Sequence, residues 1–484
     1  MPRRLNILVA SSEVHPFAKT GGLADVCGAL PKALARLGHQ VRVMLPRYRC
    51  VDRPRGPARD LALRFSVPVG SQALEAGVFE HSLDGEVPAW FIDNEFLFDR
   101  EFLYGPPGGA YPDNAARFVF FCRAVLEACK ALDFPPHIIH CNDWQTGLVP
   151  VYLKTRYATD PFFEGARTVF SIHNLGYQGN FPAQTLTLAH LPADLFHPDG
   201  VEFYGEFNFL KSGLVFADKL TTVSKTYSRE ILKPEFGFKL EGVLRHRAGD
   251  LFGIVNGIDY EEWNPARDPW IAHPYNARNF IKGKAACRQV LVKTLRMRLE
   301  RTTPLFCLLT RLTYQKGIDL IQAALPDLFE AGAALAVVGS GEPRYEEFFR
   351  SQAGDRLGVF IGFDEPLAHR LLAGSDFLLM PSVYEPCGLT QMQAMKYGTV
   401  PLVSAVGGLR DTVRPFSPRS GKGLGFQFAP GDLQSFRSAL SRALKTYRTP
   451  AAWKRVVRNC LAADFSWDRA ARAYLRVYRR ALRH

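Results

Sequence analysis

Three glycine-bearing loops each follow a short apolar run and each carries charge. The first is Lys19-Thr20-Gly21-Gly22-Leu23-Ala24-Asp25-Val26. Paired glycines let backbone approach a ligand closely, the helix that follows offers its first N–H groups to an anion, and Lys19 adds a point charge. The same residues also read as a plain strand-to-helix turn with a surface lysine. In Arg311-Leu312-Thr313-Tyr314-Gln315-Lys316-Gly317 the two cations stand five residues apart, so both reach one diphosphate when the loop bends. Arginine suits a bidentate grip on phosphate oxygens and lysine acts as a point charge. A solvated basic loop is the alternative. The third loop, Tyr384-Glu385-Pro386-Cys387-Gly388-Leu389-Thr390-Gln391, sets a carboxylate just before a helix start. Glu385 there can bind sugar hydroxyls or offset a cationic transition state. Cys387 has no histidine near it in the chain and reads as a small packing residue.

Two further polar groups end apolar runs: Asn142-Asp143-Trp144 and His173-Asn174. A lone histidine at a strand end is commonly structural, but two polar strand ends in one domain point to a shared site. No Asp-x-Asp occurs, and no His/carboxylate cluster has metal-ligand spacing. A metal-clamped diphosphate is therefore not expected, and phosphate charge would be met by Lys19, Arg311, Lys316 and helix N-termini. GxGxxG and the P-loop are both missing after the first strand, which argues against a Rossmann oxidoreductase.

These loops need rigid elements behind them. Leu5–Ala10, Val41–Leu45, His137–His140, Thr168–Ile172 and Lys219–Val223 read as strands, most of them followed by a loop and a helical pattern. The series restarts after residue 300 with Leu305–Leu309, Ala334–Val338, Val359–Ile361, Phe377–Met380 and Val400–Val403. Such alternation predicts parallel sheets with ligand loops at the strand C-termini. Between the series lies a turn-rich stretch, Val255-Asn256-Gly257-Ile258-Asp259 to Asp268-Pro269-Trp270, read as a hinge. The expected organisation is an amino-terminal Rossmann-like domain over 1–254, a linker over 255–284, a second Rossmann-like domain over 285–464 and a terminal helix over 465–484. In that helix Trp467, Ala471, Tyr474, Tyr478 and Leu482 make one apolar face, and six arginines against Asp468 hold +5 of the net charge. Docking on the protein itself is the expectation.

Composition bounds the rest. The 484 residues are 47% hydrophobic and 22% charged, which excludes disorder and a disulfide-stapled miniature. The net charge of +13 points to an anionic partner without choosing one. Nine cysteines, scattered singly, fit a reducing compartment. The Met1-Pro2-Arg3-Arg4 start imitates a signal peptide, but the apolar run Ile7–Ala10 is too short and meets Ser11, Ser12 and Glu13. No apolar stretch reaches the roughly 18–20 residues that span a bilayer. A cytoplasmic protein is expected, with neither a membrane nor a nucleic-acid partner, since no nucleic-acid module or concentrated basic stripe is present.

Taken together, the three loops, with Asn208-Phe209-Leu210-Lys211, Val255-Asn256-Gly257-Ile258-Asp259 and Phe465-Ser466-Trp467, resemble bacterial glycogen synthase and plant starch synthase over nearly the whole chain. The pairing of Lys-Thr-Gly-Gly-Leu with Glu-Pro-Cys-Gly-Leu-Thr is the specific part. The resemblance implies an α/β GT-B fold, two Rossmann-like domains facing a cleft with a C-terminal helix returning to the first. It implies retaining transfer of glucose from ADP-glucose to the non-reducing end of an α-1,4-glucan, without cofactor or metal. By that resemblance Lys19, Gly21 and Gly22 approach the diphosphate, and Arg311 and Lys316 neutralise the departing ADP. Glu385 and Cys387, Gly388, Leu389 and Thr390 would hold glucosyl and phosphate groups, with Phe363 on the base. His173 would position the transferred glucose, and Glu13, Asp25, Asp143, Asn174 and Asn256 would lie on the acceptor and glucosyl side.

The chain departs from that family in four places. Phe363 stands where tyrosine is common, and Ser404-Ala405-Val406 replaces a usual Arg-x-Thr before Gly407-Gly408-Leu409. Lys225 takes a common proline's place and Lys239 a common glycine's. The alternatives are a retaining transferase of the same fold with another donor, such as UDP-glucose, or another acceptor, and a catalytically weak glucan-binding protein. Intact Lys19, Arg311, Lys316 and Glu385 speak against the last.

Overall fold

A computed structural model describes residues 4–52, 56–106 and 108–483. Residues 1–3 of the signal-like start and His484 of the expected last helix lie outside the described residues. The chain divides into two units, Met1–Gly257 with Trp467–His484, and Ile258–Ser466.

In the first unit the apolar runs form β1 (Asn6–Ala10), β2 (Gln40–Pro46), β3 (Arg59–Val69), β4 (Gln72–Leu83), β5 (Val87–Asp93), β6 (Ile138–Asn142) and β7 (Arg167–Ile172). Then come β8 (Asn180–Pro182), β9 (Glu202–Phe203), β10 (Glu206–Asn208), β11 (Lys219–Thr222) and β12 (Leu251–Gly253). Nine of them form one sheet in the order β12-β11-β7-β6-β1-β2-β5-β4-β3. It is parallel from β12 to β5 and ends in an antiparallel ribbon of β4 and β3. The parallel strands carry near-continuous buried runs because helices cover both faces. Strand β1 pairs with both β2 and β6, so chain order reverses there and a crevice opens at the strand C-termini. A separate antiparallel sheet, β8-β10-β9, sits on this unit.

The C-terminal helix, Trp467–Ala481, belongs to the first unit and packs against the Gly22–Arg36 helix. Its buried stripe is Trp467, Ala470, Ala471, Tyr474, Leu475, Val477, Tyr478 and Ala481, wider than the expected face, and Leu482 is only half-buried. The Tyr478 hydroxyl and His140 Nδ1 share a hydrogen bond of 2.8 Å, and the rings of His140 and Tyr474 lie 5.3 Å apart. Burial holds His140 neutral, its pKa pulled down to about 3.

The second unit has one parallel sheet, β15-β14-β13-β16-β17-β18. Its strands are β13 (Leu305–Leu309), β14 (Ala334–Gly339), β15 (Leu357–Ile361), β16 (Phe377–Met380), β17 (Val400–Ser404) and β18 (Phe426–Phe428). Here β13 pairs with both β14 and β16, so the switch point lies at the ends of β13 and β16.

Residues 258–284, expected as linker, are built into this unit instead. Trp263 stacks on His369 at 3.8 Å, Asp268 accepts hydrogen bonds from His369 Nδ1 and the Tyr397 hydroxyl, and the Phe280–Thr294 helix begins inside the stretch. Lys284 is buried on the carbonyl oxygens of Leu372, Ala373 and Tyr397 and on Thr399 Oγ1. Turn residues mark where the chain bends; burial of Trp263, Asp268 and Tyr275 decides where it belongs. The chain leaves the first unit after Gly257 and re-enters it at Trp467. At those points Ile258 bridges to Ser466, and a Cβ on Gly257 would lie 2.7 Å from the Trp467 nitrogen.

Candidate functional site

In the first unit the polar groups gather at the ends of β1, β6 and β7. Glu13, just past β1, is buried and its carboxylate accepts four hydrogen bonds. They come from Thr20 N (2.6 Å), Thr20 Oγ1 (2.6 Å), Gly21 N (3.2 Å) and the Tyr104 hydroxyl (2.8 Å). Glu13 thus fixes the backbone of the Lys19–Gly22 loop rather than reaching outward. Gly21 is the extended N-cap of the Gly22–Arg36 helix and no side chain caps it. Lys19 pairs with Asp25 at 2.6 Å, so the loop's cation has a partner in its own helix.

Asp143 is likewise bonded within the unit. Its backbone is left-handed, at φ 55°, and its carboxylate accepts the His173 N–H at 2.7 Å and the Asn174 N–H. Burial, with Glu13 nearby, raises it to about 7 despite those donors. It is a brace for the end of β7. His173 Nε2 donates to Asn142 Oδ1 at 2.9 Å; the Asn142 amide group donates to Ala10 O and His140 O, so its oxygen must accept. Burial holds His173 near 3, so it is neutral with Nδ1 as its lone-pair nitrogen. Asn174 Oδ1 accepts the Gly176 N–H and closes a local turn. Asn256 is buried, with Oδ1 lacking a hydrogen-bond partner among the described residues. Lys211, from the Asn-Phe-Leu-Lys motif, is buried on the carbonyl oxygens of Pro198 and Glu202, a structural role.

In the second unit the expected residues meet directly. Lys316 Nζ lies 2.5 Å from Glu385 Oε2, and Ser382 Oγ donates to the same oxygen at 3.0 Å. Glu385 is buried and Lys316 half-buried. Their loops are locked together: Val383 N donates to Gln315 O at 2.9 Å, and left-handed Gly317 lies flat against the Pro381 carbonyl. Arg311 begins the first loop, exposed and without an ion pair among the described residues. Gly388 turns at φ 68° into the Thr390–Lys396 helix, whose N-cap Leu389 supplies no side-chain bond to its first N–H groups. Gly407 and Gly408 pack on the Glu385 and Cys387 carbonyls, and Gly408 N donates to Glu385 O at 3.1 Å. Cys387 is buried there and contributes shape. Phe363, after Gly362 at the end of β15, is 80% exposed. Ser404 Oγ, in the place of the missing cation, is buried without a partner among the described residues.

Residues 6–246 match the starch synthase catalytic domain family, and 296–459 match glycosyl transferases group 1. Glycogen synthase 2 of Geobacter sulfurreducens is 45% identical over 480 residues, covering 99% of both chains. The chain belongs to the glycogen and starch synthase family. Glycogen synthase of Anaeromyxobacter dehalogenans is 47% identical over 479 residues, covering 98% of this chain and 99% of its own. The catalytic domain of starch synthase IV from Arabidopsis thaliana, solved bound to ADP and acarbose, superposes with a TM-score of 0.93 at 34% identity, covering 99% and 100% of the two chains. The fold is therefore GT-B, two Rossmann-like α/β units, and the protein is a glucosyltransferase with glycogen or starch synthase function.

Several positioning residues escaped the sequence reading. Tyr104 supports Glu13 from 91 positions away, and Ser382 shares Glu385 with Lys316. Gln391, on the next turn, donates to the carbonyls of Cys387 and Gly388. Ser382 precedes the third loop and Gln391 ends it, so both were within reach of local reasoning; nothing in sequence marks Tyr104. Among the described residues no group of His, Cys, Asp and Glu is placed to hold a metal ion, and no helix is long and apolar enough to cross a membrane.

Proposed function

We propose that the enzyme moves glucose from ADP-glucose to the non-reducing end of an α-1,4-glucan with retention of configuration, in the cytoplasm and without a resident cofactor. The observation that carries this reading is the Lys316–Glu385 contact of 2.5 Å at the β13/β16 switch point, beside Arg311 and an uncapped helix start. When the C1–O bond breaks, charge grows on the departing phosphate. Lys316, Arg311 and the N–H groups at Gly388–Thr390 supply cations and donors for that charge, and stabilise it more than the ground state. In the first unit, Lys19 and the N–H groups opening the Gly22–Arg36 helix suit an anionic group.

Retention follows a same-face course. Glu385 Oε2 is tied to Lys316 and Ser382 and serves as a fixed negative group, not as a covalent nucleophile. The departing phosphate takes the acceptor hydroxyl proton as that hydroxyl bonds to C1. His173 of the first unit is held neutral by burial and suits hydrogen bonding to a sugar rather than proton transfer.

The test is direct: incubate the protein and a short maltooligosaccharide with ADP-glucose or UDP-glucose. Elongation with ADP-glucose, lost by about 100-fold or more in Lys316→Ala and Glu385→Gln at unchanged melting temperature, is expected. Faster turnover with UDP-glucose would replace the donor assignment, and Ser404 standing where a cation is common makes that arm worth running.

A further inference from the structure

The second unit holds a cavity of about 410 Å³ on its edge strand β15, two strands away from β13 of the switch point. It lies between the end of the Phe280–Thr294 helix and the start of the Glu365–Gly374 helix, which pack together. Its size is that of a small-molecule site. Leu295, Phe360 and Leu367 make its apolar side, and Arg296, Arg370 and Asp364 its polar side. None of these residues belongs to the site described above.

The charges in this lining do not cancel. Asp364 caps the Glu365–Gly374 helix, its Oδ1 accepting the Leu367 N–H at 2.6 Å, and it pairs with neither arginine. Arg370 is anchored by one nitrogen: Nε donates to Trp270 O at 2.9 Å, and the two terminal nitrogens have no partner among the described residues. The Arg296 side chain has no partner among them either. Two unneutralised guanidinium groups on one cavity call for an anion, and each presents paired N–H groups that match phosphate oxygens. Arg296 is also held where arginine is costly. It follows the helix cap Leu295 at φ 56°, with its own N–H on Lys293 O and the Met297 N–H on Val292 O. Those two bonds make the helix ending that favours glycine at this position. Strain of this kind gathers at ligand clamps.

The cavity also borders the segment that carries Phe363. Phe360 and Asp364 line it on either side of that residue, and a Cβ on Gly362 would lie 3.1 Å from the Phe360 ring, so the ring and the turn move together. Phe363 itself is 80% exposed. We propose that the cavity takes a small organic phosphate, its phosphate between Arg296 and Arg370 and its apolar body on Leu295, Phe360 and Leu367, and that the occupant sets the position of Phe363. A neutral sugar leaves both cations unanswered, and a membrane or a nucleic acid does not enter a cavity of this size. The effect through Phe363 rests on the proposed donor, whose base suits an exposed ring at that strand end; the binding itself does not.

Phenyl phosphate is the probe, and benzyl alcohol is a similar body without the charge. Titration calorimetry on the full chain is expected to show saturable binding of phenyl phosphate and none of benzyl alcohol. Arg296→Gly installs the residue the turn prefers, so the melting temperature holds or rises while affinity falls about tenfold. Arg296→Lys keeps the charge and most of the affinity, and Lys316→Ala, altered in the donor site, keeps the binding. Loss in Lys316→Ala with retention in Arg296→Gly would assign the probe to the donor site and overturn the cavity, as would no saturable binding in the wild type. Saturating probe is expected to change the Kd for ADP about fivefold in the wild type and not in Arg296→Gly. An equal change in both would be competition at the donor site, and no change in either would break the link to Phe363. A wild type that does not bind ADP would strike the proposed donor and leave the probe's own isotherm standing.

Discussion

Gly317→Ala isolates the positional demand of the second unit's site. Gly317 sits at φ 69°, and a Cβ there would lie 1.9 Å from the Pro381 carbonyl oxygen, where real contacts begin near 3.0 Å. The two loops must therefore part by about 1.1 Å, and the obstacle is backbone, which yields little. Lys316 is the next residue along and Glu385 follows Pro381 on the opposing loop, so the strain falls on their 2.5 Å contact. A misplacement of about 1 Å costs roughly 100-fold in rate, or about 2.7 kcal/mol of transition-state stabilisation. The left-handed alanine itself costs about 1–2 kcal/mol of stability. Gly332→Ala is the matched control: φ is 76° and nothing lies within 4 Å of the added Cβ, so the backbone strain is similar and the clash is missing. Both variants are expected to melt a few degrees lower, while kcat at saturating donor falls only in Gly317→Ala. A Gly317→Ala enzyme within about threefold of Gly332→Ala in kcat would refute the claim that loop register sets the Lys316–Glu385 geometry.

Other outcomes follow from the same geometry. Glu13→Gln sets an amide against four donors, so the KM for donor should rise by about tenfold through loss of order in the Lys19–Gly22 loop; an unchanged KM would leave Glu13 without its bracing role. His140 and His173 are both held near 3, so below about pH 6.5 the unfolded chain binds protons that the folded chain refuses, and stability falls with acidification. Asp143, held near 7, keeps its proton in the folded state and works in the opposite direction between its ordinary value and 7. Two histidines less one carboxyl leave a net loss of roughly 1.4 kcal/mol per pH unit from 6.5 towards 4. Chemical unfolding of the first unit should show that slope, steepened to about twice its size in Asp143→Asn, and an equal slope in the variant would contradict the assignment. Buried Lys284, lowered to about 8, destabilises the second unit below that pH, so stability should rise from pH 8 to about 10.5 and Lys284→Met should flatten the rise.

The sheets were largely legible in sequence because parallel strands buried on both faces write themselves as unbroken apolar runs, as in Leu305–Leu309 and Phe377–Met380. The β3–β4 ribbon was passed over. Its strands expose one face, so Arg59–Val69 alternates polar and apolar residues and looks weaker than a solid run. The site read similarly. Lys316 and Glu385 were both named, since glycine, charge and a strand end coincide in each loop; that they touch is a property of the switch point, which pairing alone decides. The internal partners of Asp143, Asp25 and Glu13 were not legible, because a carboxylate near a glycine loop looks alike in sequence whatever it bonds to. Lys239 was noted only for replacing a glycine; its left-handed φ explains the glycine usually found there.

The return of Trp467–Ala481 to the first unit has a consequence for how the protein is made. Chains usually fold from the amino end as they leave the ribosome. Here residues 258–466 form a loop of chain that starts and finishes at one bridge, Ile258 to Ser466, and everything that unit needs has emerged once Ser466 is out. The earlier-made unit must wait: until the last helix arrives, His140 lacks the Tyr478 hydroxyl and a stripe of its surface lies open. The half translated second is thus free to mature first, and a released chain ending at residue 466 should hold a protease-resistant second unit beside a first unit that is still cleavable.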